Sequence, residues 1–278
     1  MTAFDPAELK LLTDLIQERF GLTFNGVRLE ILEARLRPRL RELHLTGLRE
    51  YYQFLKFHPD REGEFARLPA MVTNNETYFF RESHQFDLLV NHVIPERRQA
   101  LRTRPLRLLS AGCSSGEEPY SLAIALHNAG LPLAGVTWEI DACDLNPERI
   151  ARAQEGLYAE SSLRACDEEA RRRYFTPEPD GFRLKEKYRK GVRCFHANLL
   201  APNGTLGWAV YDAILCRNML IYFSEGAFTN LIGLFARSLV PGGYLFLGHS
   251  ESLLDRKTAF VPALLGGAVV YRKLEAAA

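Results

Sequence analysis

The sequence has no CxxC pair, and its five cysteines, at positions 113, 143, 166, 194 and 216, are odd in number and widely spaced. That pattern supports neither a disulfide framework nor a zinc site and suits a reducing compartment, so a cytoplasmic protein is expected. Apolar runs approaching about eighteen residues are absent, as are a signal-peptide pattern and any internal repeat, so no direct membrane insertion is expected. Net charge is scarce too: 35 Lys and Arg face 34 Asp and Glu, leaving +1 at pH 7. No overall field then recruits nucleic acid or an anionic membrane, although a local patch can still act. The dinucleotide fingerprint GxGxxG is also missing from the one small-residue turn where it would belong.

What is present is an ordinary globular composition, 47% hydrophobic and 25% charged over 278 residues, enough for one large domain and a small one. The chain is organised around Leu106 to Ser121. Leu106, Leu108 and Leu109 read as a buried strand, Ala111 to Gly116 as a tight turn, and Glu117 to Ala129 as a helix packed back on the strand. Strand, small-residue loop and helix build the crevice of an open α/β sheet. A phosphate would sit on the free amides at such a helix mouth, but here the mouth carries Glu117 and Glu118, which repel it. A ligand with a nucleoside at one end and a cationic amino group at the other is favoured instead, and S-adenosylmethionine has that shape. The next strand, about Thr137 to Cys143, delivers Asp144, placed to accept from both hydroxyls of a ribose.

Residues 1 to about 72 read as an all-helical domain. Asp5, Pro6 and Glu8 start the first helix, Leu9, Leu12, Ile16 and Phe20 mark its inner face, and Gly21 stops it. A second helix from about Val27 to Leu43 carries a leucine stripe flanked by Arg28, Arg35 and Arg39 on one edge and Arg37 and Arg41 on the other. Those five arginines are expected to form a docking surface for an acidic partner, the alternative being an ordinary solvated face. Residues 73 to 95 read as a crossing segment and connecting helix. Its amide- and aromatic-rich part, 73 to 82, is expected to line the site.

The remainder, 96 to 278, reads as the sheet domain, interrupted at about 157 to 190 by a small antiparallel β-subdomain. In that insertion Thr176 to Gly181 is expected as a turn and Arg171 to Arg173 as a basic group. Later strands are expected at Val192 to His196 and Tyr211 to Cys216, then after the turn at Pro241 to Gly243, with Val269 to Lys273 closing the sheet.

Methyl transfer from a sulfonium needs an unprotonated nucleophile in line with the carbon. Amino-group methylation of bases usually shows a Pro-Pro-aromatic run, and cytosine carbon methylation a Pro-Cys nucleophile; the chain has neither, presenting Cys216-Arg217-Asn218 instead. A carboxylate needs no base, because a glutamate of pKa about 4.3 is already ionised at pH 7. Arg81 and Tyr222 are the right side-chain types to desolvate and aim one.

Five runs carry a family resemblance: NETYFFRE (Asn75 to Glu82), SAGCSSGEEPYSLA (Ser110 to Ala123), Asn198-Leu199, CRNMLIYF (Cys216 to Phe223) and GGYLFLGHSE (Gly242 to Glu251). Together, in this order and over nearly the whole chain, they resemble the CheR-type chemotaxis receptor glutamate O-methyltransferases. The resemblance implies a class I, Rossmann-like S-adenosylmethionine-dependent methyltransferase fold, a mostly parallel doubly wound sheet with an N-terminal helical domain. It implies transfer of methyl to glutamates on the cytoplasmic helical bundle of chemoreceptors, giving methyl esters and S-adenosylhomocysteine, with no metal and no nucleic acid, by a monomer. Asn75, Thr77, Arg81, Glu118, Asp144, Asn198, Leu199, Arg217 and Asn218 match the family's cofactor positions, and Arg81 and Tyr222 its catalytic ones. Members that tether to a receptor's C-terminal pentapeptide have a longer, glycine-bearing turn in the β-subdomain, so tethering is not expected here. The competing readings are a CheR-like regulatory protein that binds the cofactor without turnover and a nucleic-acid methyltransferase docking through the Arg28 to Arg41 helix.

Overall fold

The computed structural model describes residues 4–73, 76–132, 134–201, 206–207 and 210–274. Its first layer is helical: α1 (Pro6–Phe20), α2 (Val27–Glu42), α3 (Leu48–Phe57) and α4 (Arg61–Val72). Asp5 starts α1 by accepting from the amides of Ala7, at 2.7 Å, and Glu8, and Gly21 ends it at φ +74°. Leu12, Ile16, Leu32, Leu36, Leu48 and Tyr51 close a core between these helices, with the leucine stripe of α2 facing inward as its spacing requires.

The arginines beside that stripe do not all face outward, which corrects the expected five-residue docking surface. Arg39 turns into the bundle and forms a two-pronged pair with Glu64, which is 3% exposed and also accepts from the Tyr51 hydroxyl at 2.7 Å. Arg35 donates to the carbonyls of Met71 and Thr73 at 2.9 and 2.8 Å, tying α2 to the end of α4. Arg37 lies 3.6 Å from Glu33 and over the Phe4 ring. Arg41 is exposed, and Arg28 is half-buried for a reason that emerges at the site.

A helical stretch follows as α5 (His84–Leu88), a π turn (Leu89–Val93) and α6 (Ile94–Arg97), longer than expected because it runs on past Val93. Pro95 has no amide to close on Asn91, and the helix widens just before it. Then comes the α/β part: β1 (Leu106–Ala111), α7 (Glu117–Asn128), β2 (Trp138–Asp144), α8 (Pro147–Glu155), β3 (Leu157–Tyr158), α9 (Glu168–Tyr174), β4 (Phe175–Glu178), β5 (Gly181–Leu184), α10 (Glu186–Arg189), β6 (Val192–His196), β7 (Tyr211–Cys216), α11 (Glu225–Ser238), β8 (Leu239–Leu247), β9 (Phe260–Leu265) and β10 (Ala268–Lys273).

The seven-stranded sheet runs β6-β2-β1-β7-β8-β10-β9, parallel except at β10 and β9. Strands β1, β2 and β6 progress one way from the centre, and β7 and β8 progress the other. The order therefore reverses between β1 and β7, where a crevice opens at the carboxyl ends of the strands. All six residues of β7 are buried, as a central strand covered on both faces requires. The turn at Pro241 to Gly243 lies inside β8 as a bulge, since Tyr211 pairs with Leu239 and Ala213 already with Tyr244.

Two expectations fail here. β10 does not close the sheet, because β9 pairs outside it along its whole length. The insertion's turn is not Thr176 to Gly181 but Pro179-Asp180 alone: Thr176 and Pro177 belong to β4, which pairs with β5 in a three-stranded sheet ordered β3-β5-β4.

Arg39→Ala tests the inward role of that arginine. Stranding the buried Glu64 carboxylate should cost about 3 kcal/mol, read as a lowered urea midpoint, whereas a solvated arginine would cost a few tenths.

Candidate active site

The turn after β1 is shaped by close approach. Gly112 lies at φ +78°, and a Cβ on it would stand 2.7 Å from the Met219 sulfur; its amide and that of Cys113 donate to the Cys143 carbonyl at 2.8 and 3.0 Å. Ser114 is held at φ +49°, and its amide donates to Asp144 Oδ2 at 2.8 Å while Asn146 donates to Oδ1 at the same distance. Two amides thus fix the Asp144 carboxylate at the tip of β2. Burial pushes its pKa up more than those amides pull it down. The residues fit a ribose: hydroxyl donors would favour the ionised form, and the buried Ser114 Oγ beside it has no hydrogen-bond partner.

Gly116, at φ +93°, starts α7, and the two carboxylates that follow part company. Glu117 does not face the cleft, contrary to expectation: it is 1% exposed and accepts from Ser115 Oγ at 2.8 Å and Ser162 Oγ at 2.9 Å, fastening the insertion to the turn. Glu118 does face it. It accepts from Ser110 Oγ at 2.6 Å and from Arg217 at 3.0 Å, and burial raises its pKa against both. Arg217, 6% exposed at the end of β7, also donates to the Arg81 carbonyl and lies 3.5 Å from Glu82.

These groups face a cleft of about 260 Å³ at the carboxyl ends of β1, β2 and β7. Thr77, Arg81, Glu118 and Asp144 line it, as do Asn198, Leu199, Arg217, Asn218 and Tyr222, so the structure brings all of these sequence candidates together. Asn75 lies outside the described residues. Phe20 and Leu22, from the end of α1, supply a wall that the sequence did not reveal. Asn198 joins the two layers, donating to the Arg19 carbonyl at 3.1 Å. Tyr222 closes a short 3-10 turn, Leu220–Tyr222, and its ring lies 4.7 Å from the guanidinium of Arg28, which explains that arginine's partial burial. Arg81 donates to the Glu76 carbonyl at 3.1 Å.

Sequence reasoning also missed three polar residues. Glu82 meets His249 at 3.0 Å across the cleft mouth, and Glu251 is buried beneath the loop after β7. All three sat inside quoted runs, NETYFFRE and GGYLFLGHSE, but their partners are far away in the chain. Among the described residues, two of the five non-glycine positions at positive φ, Ser114 and Asn218, line this cleft, and two more, Phe80 and Glu82, flank its lining residue Arg81. Strain gathered in one place marks a functional site.

Sheet order and crevice position define a class I S-adenosylmethionine-dependent methyltransferase fold carrying an extra helical domain. Residues 75–264 match the family described as CheR methyltransferase, SAM binding domain, and residues 7–70 match its all-alpha domain. The chain belongs to the CheR methyltransferase family. It is 33% identical over 273 residues to the chemotaxis protein methyltransferase of Escherichia coli K12, covering 97% of this chain and 91% of that one. It is 34% identical over 259 residues to the probable biofilm formation methyltransferase WspC of Pseudomonas aeruginosa, covering 93% of this chain but 60% of the relative, so it spans well under the full length of WspC. Among solved structures, geranyl diphosphate methyltransferase in complex with GPP and sinefungin aligns over 65% of this chain and 61% of that one, at TM-score 0.36 and 14% identity.

Asp144→Ala should weaken S-adenosylhomocysteine binding at least tenfold, about 1.4 kcal/mol, by calorimetry; unchanged affinity would remove Asp144 from the site. In the ligand-free protein its raised pKa favours the fold most below the unfolded carboxylate value of about 4, and that contribution is lost as pH rises through the folded value. Ligand hydroxyls reverse the preference, so affinity should grow with pH over the same window.

Proposed function

We propose that this protein transfers the methyl group of S-adenosylmethionine to glutamate side-chain carboxylates on the cytoplasmic helical bundle of a chemoreceptor, forming methyl esters and S-adenosylhomocysteine. The observation that carries this is the sharing of one cleft: Arg81 and Tyr222 open onto the same space as Asp144 and Glu118. When bound, the cofactor supplies a methyl carbon on a sulfonium that leaves as a neutral thioether. Asp144 holds the ribose and Glu118 the ammonium of the amino-acid end, with Arg217 opposing the burial that raises the Glu118 pKa. Thr77, Asn198, Leu199 and Asn218 complete the walls. Arg81 orients the incoming carboxylate, Tyr222 donates to it, and the attacking oxygen needs no base because it is already ionised. No proton moves and no metal is needed.

The partner approaches over α2. Arg28, Arg35 and Arg41 give that face its positive charge, with Val27 and Ile31 exposed among them, which suits an acidic amphipathic helix; Arg37 contributes at the edge, and Arg39 does not. The protein works as a monomer in the cytoplasm on this reading. A nucleic-acid substrate is disfavoured by the +1 net charge.

Labelled methyl should pass from the cofactor to receptor fragments and be released in mild base, as esters are and methylated bases are not. Tyr222→Phe should bind cofactor and melt like the parent while losing most turnover, and Arg41→Glu should raise the receptor KM in a salt-dependent way. Base-stable label would overturn the ester reading, and near-normal turnover in Tyr222→Phe its catalytic assignment.

We also infer that the insertion is not a tail tether. A receptor tail would add as a strand beside β4, but Pro177 lies on that edge strand, and the hairpin turns in two residues, Pro179-Asp180, clamped by the Glu178–Arg183 pair. Arg172 and Arg173 face outward on α9 for direct contact, whereas Arg171 is tied to Glu160 and the Cys166 carbonyl. Titration with a receptor-tail pentapeptide should show no micromolar binding; saturable binding at the insertion would refute this.

A further inference from the structure

We propose that Glu251 is a positioning residue for the reaction: one buried carboxylate that fixes the loop carrying both the cofactor contact Asn218 and the substrate contact Tyr222. The inference rests on the functional reading above, in which Glu251 touches neither cofactor nor substrate. Glu251 is 9% exposed, and its two oxygens serve the loop after β7 almost amide by amide. Oε2 accepts from Asn218 at 2.9 Å and from Gly248 at 2.8 Å. Oε1 accepts from Met219 at 2.9 Å, Leu220 at 2.6 Å and, more weakly, Ile221 at 3.4 Å.

Three of these amides, those of Met219, Leu220 and Ile221, belong to the start of the 3-10 turn Leu220–Tyr222, where a helical turn leaves its donors unsatisfied. An N-cap normally comes from the preceding residue; here it comes from a different strand end, about thirty residues downstream in the chain. Every partner is a donor, so only an acceptor-only group satisfies them all, and an ionised carboxylate is that group. The grip also accounts for two backbone features. Asn218 is held at φ +55° by its amide bond to Oε2. A Cβ on Gly248 would stand 2.8 Å from the Asn218 amide nitrogen and 2.9 Å from Oε2, so glycine alone allows the approach.

The loop is held from its other side by the helical domain. Thr23 donates from its amide to the Tyr222 carbonyl at 2.9 Å, and Ser224 to the Gly21 carbonyl at 2.8 Å. Those bonds fix the backbone after Tyr222 and leave its approach, residues 218 to 221, to Glu251. Loosening that approach displaces Asn218 against the cofactor and Tyr222 against the carboxylate together.

Glu251→Gln is the test, because the amide keeps size and one acceptor while turning an NH2 onto amides that also donate. The expected result is a cooperative melt, S-adenosylhomocysteine affinity reduced at least tenfold by calorimetry, and kcat at saturating cofactor reduced at least tenfold with the receptor KM within about threefold. Parental S-adenosylhomocysteine affinity in the folded variant overturns the proposal. If Glu251→Gln does not fold, Glu251→Asp, which keeps the charge but falls short by one methylene, is read by the same criteria. Failure of both to fold also overturns it, since Glu251 would then determine the fold and not the site. Should the parent bind S-adenosylhomocysteine but methylate no receptor carboxylate, the functional reading fails while the affinity arm still decides Glu251.

Discussion

The contact between Arg217 and Glu118 is the interaction on which the cleft depends. It links the end of β7 to the first turn of α7 at the point where the strand order reverses, and both side chains are largely out of water. A buried guanidinium needs partners, and the two terminal nitrogens of Arg217 find them in Glu118, the Arg81 carbonyl and Glu82, while its Nε is left without one. The last two belong to the crossing segment. One side chain therefore draws the helical layer's exit strap onto the sheet and presents Arg81 to the cleft. The left-handed turns at Phe80 and Glu82 are the local strain this fold-back requires.

Around that contact the cleft presents acceptor-only side chains. Glu118 and Asp144 are carboxylates kept in low dielectric, both with raised pKa, and the cofactor's amino group and hydroxyls are donors. Burial outweighs the hydrogen bonds that each carboxylate already has, so further donors would favour the ionised forms. A ligand with donors in those two places would therefore be favoured over one without them.

Much of this was legible in the sequence where the signal is local. β1, its turn, α7 and Asp144 follow from an apolar run, glycines and a strand-end acid within forty residues, and the α1 cap follows from three adjacent residues. The reading failed where a residue's role depends on distant chain. A helical wheel places Arg39 beside Arg35, but it cannot see Glu64 waiting 25 positions on. Glu117 and Glu118 are neighbours in sequence, and only Ser162, brought in by the insertion, shows which one turns away. β9 was missed because Pro262 and the following glycines mimic a loop, and an edge strand needs pairing on one side only. Glu251 had almost no local signal, since four of its five donors come from the loop after β7, about thirty residues upstream, and only Gly248 is near it in the chain.

The short bridge between Leu22 and Phe223, with Gly21 pressed against Leu200 and Ala227, makes the helical domain a wall of the cleft and not an appendage to it. Gene fusion and shuffling treat such leading domains as interchangeable cassettes. This one is not: excising it or grafting a relative's in its place would strip Phe20 and Leu22 from the cavity and Arg28 from the Tyr222 ring. The seam can be recombined only if both halves of the bridge travel together, which ties the inheritance of the N-terminal layer to that of the loop after β7.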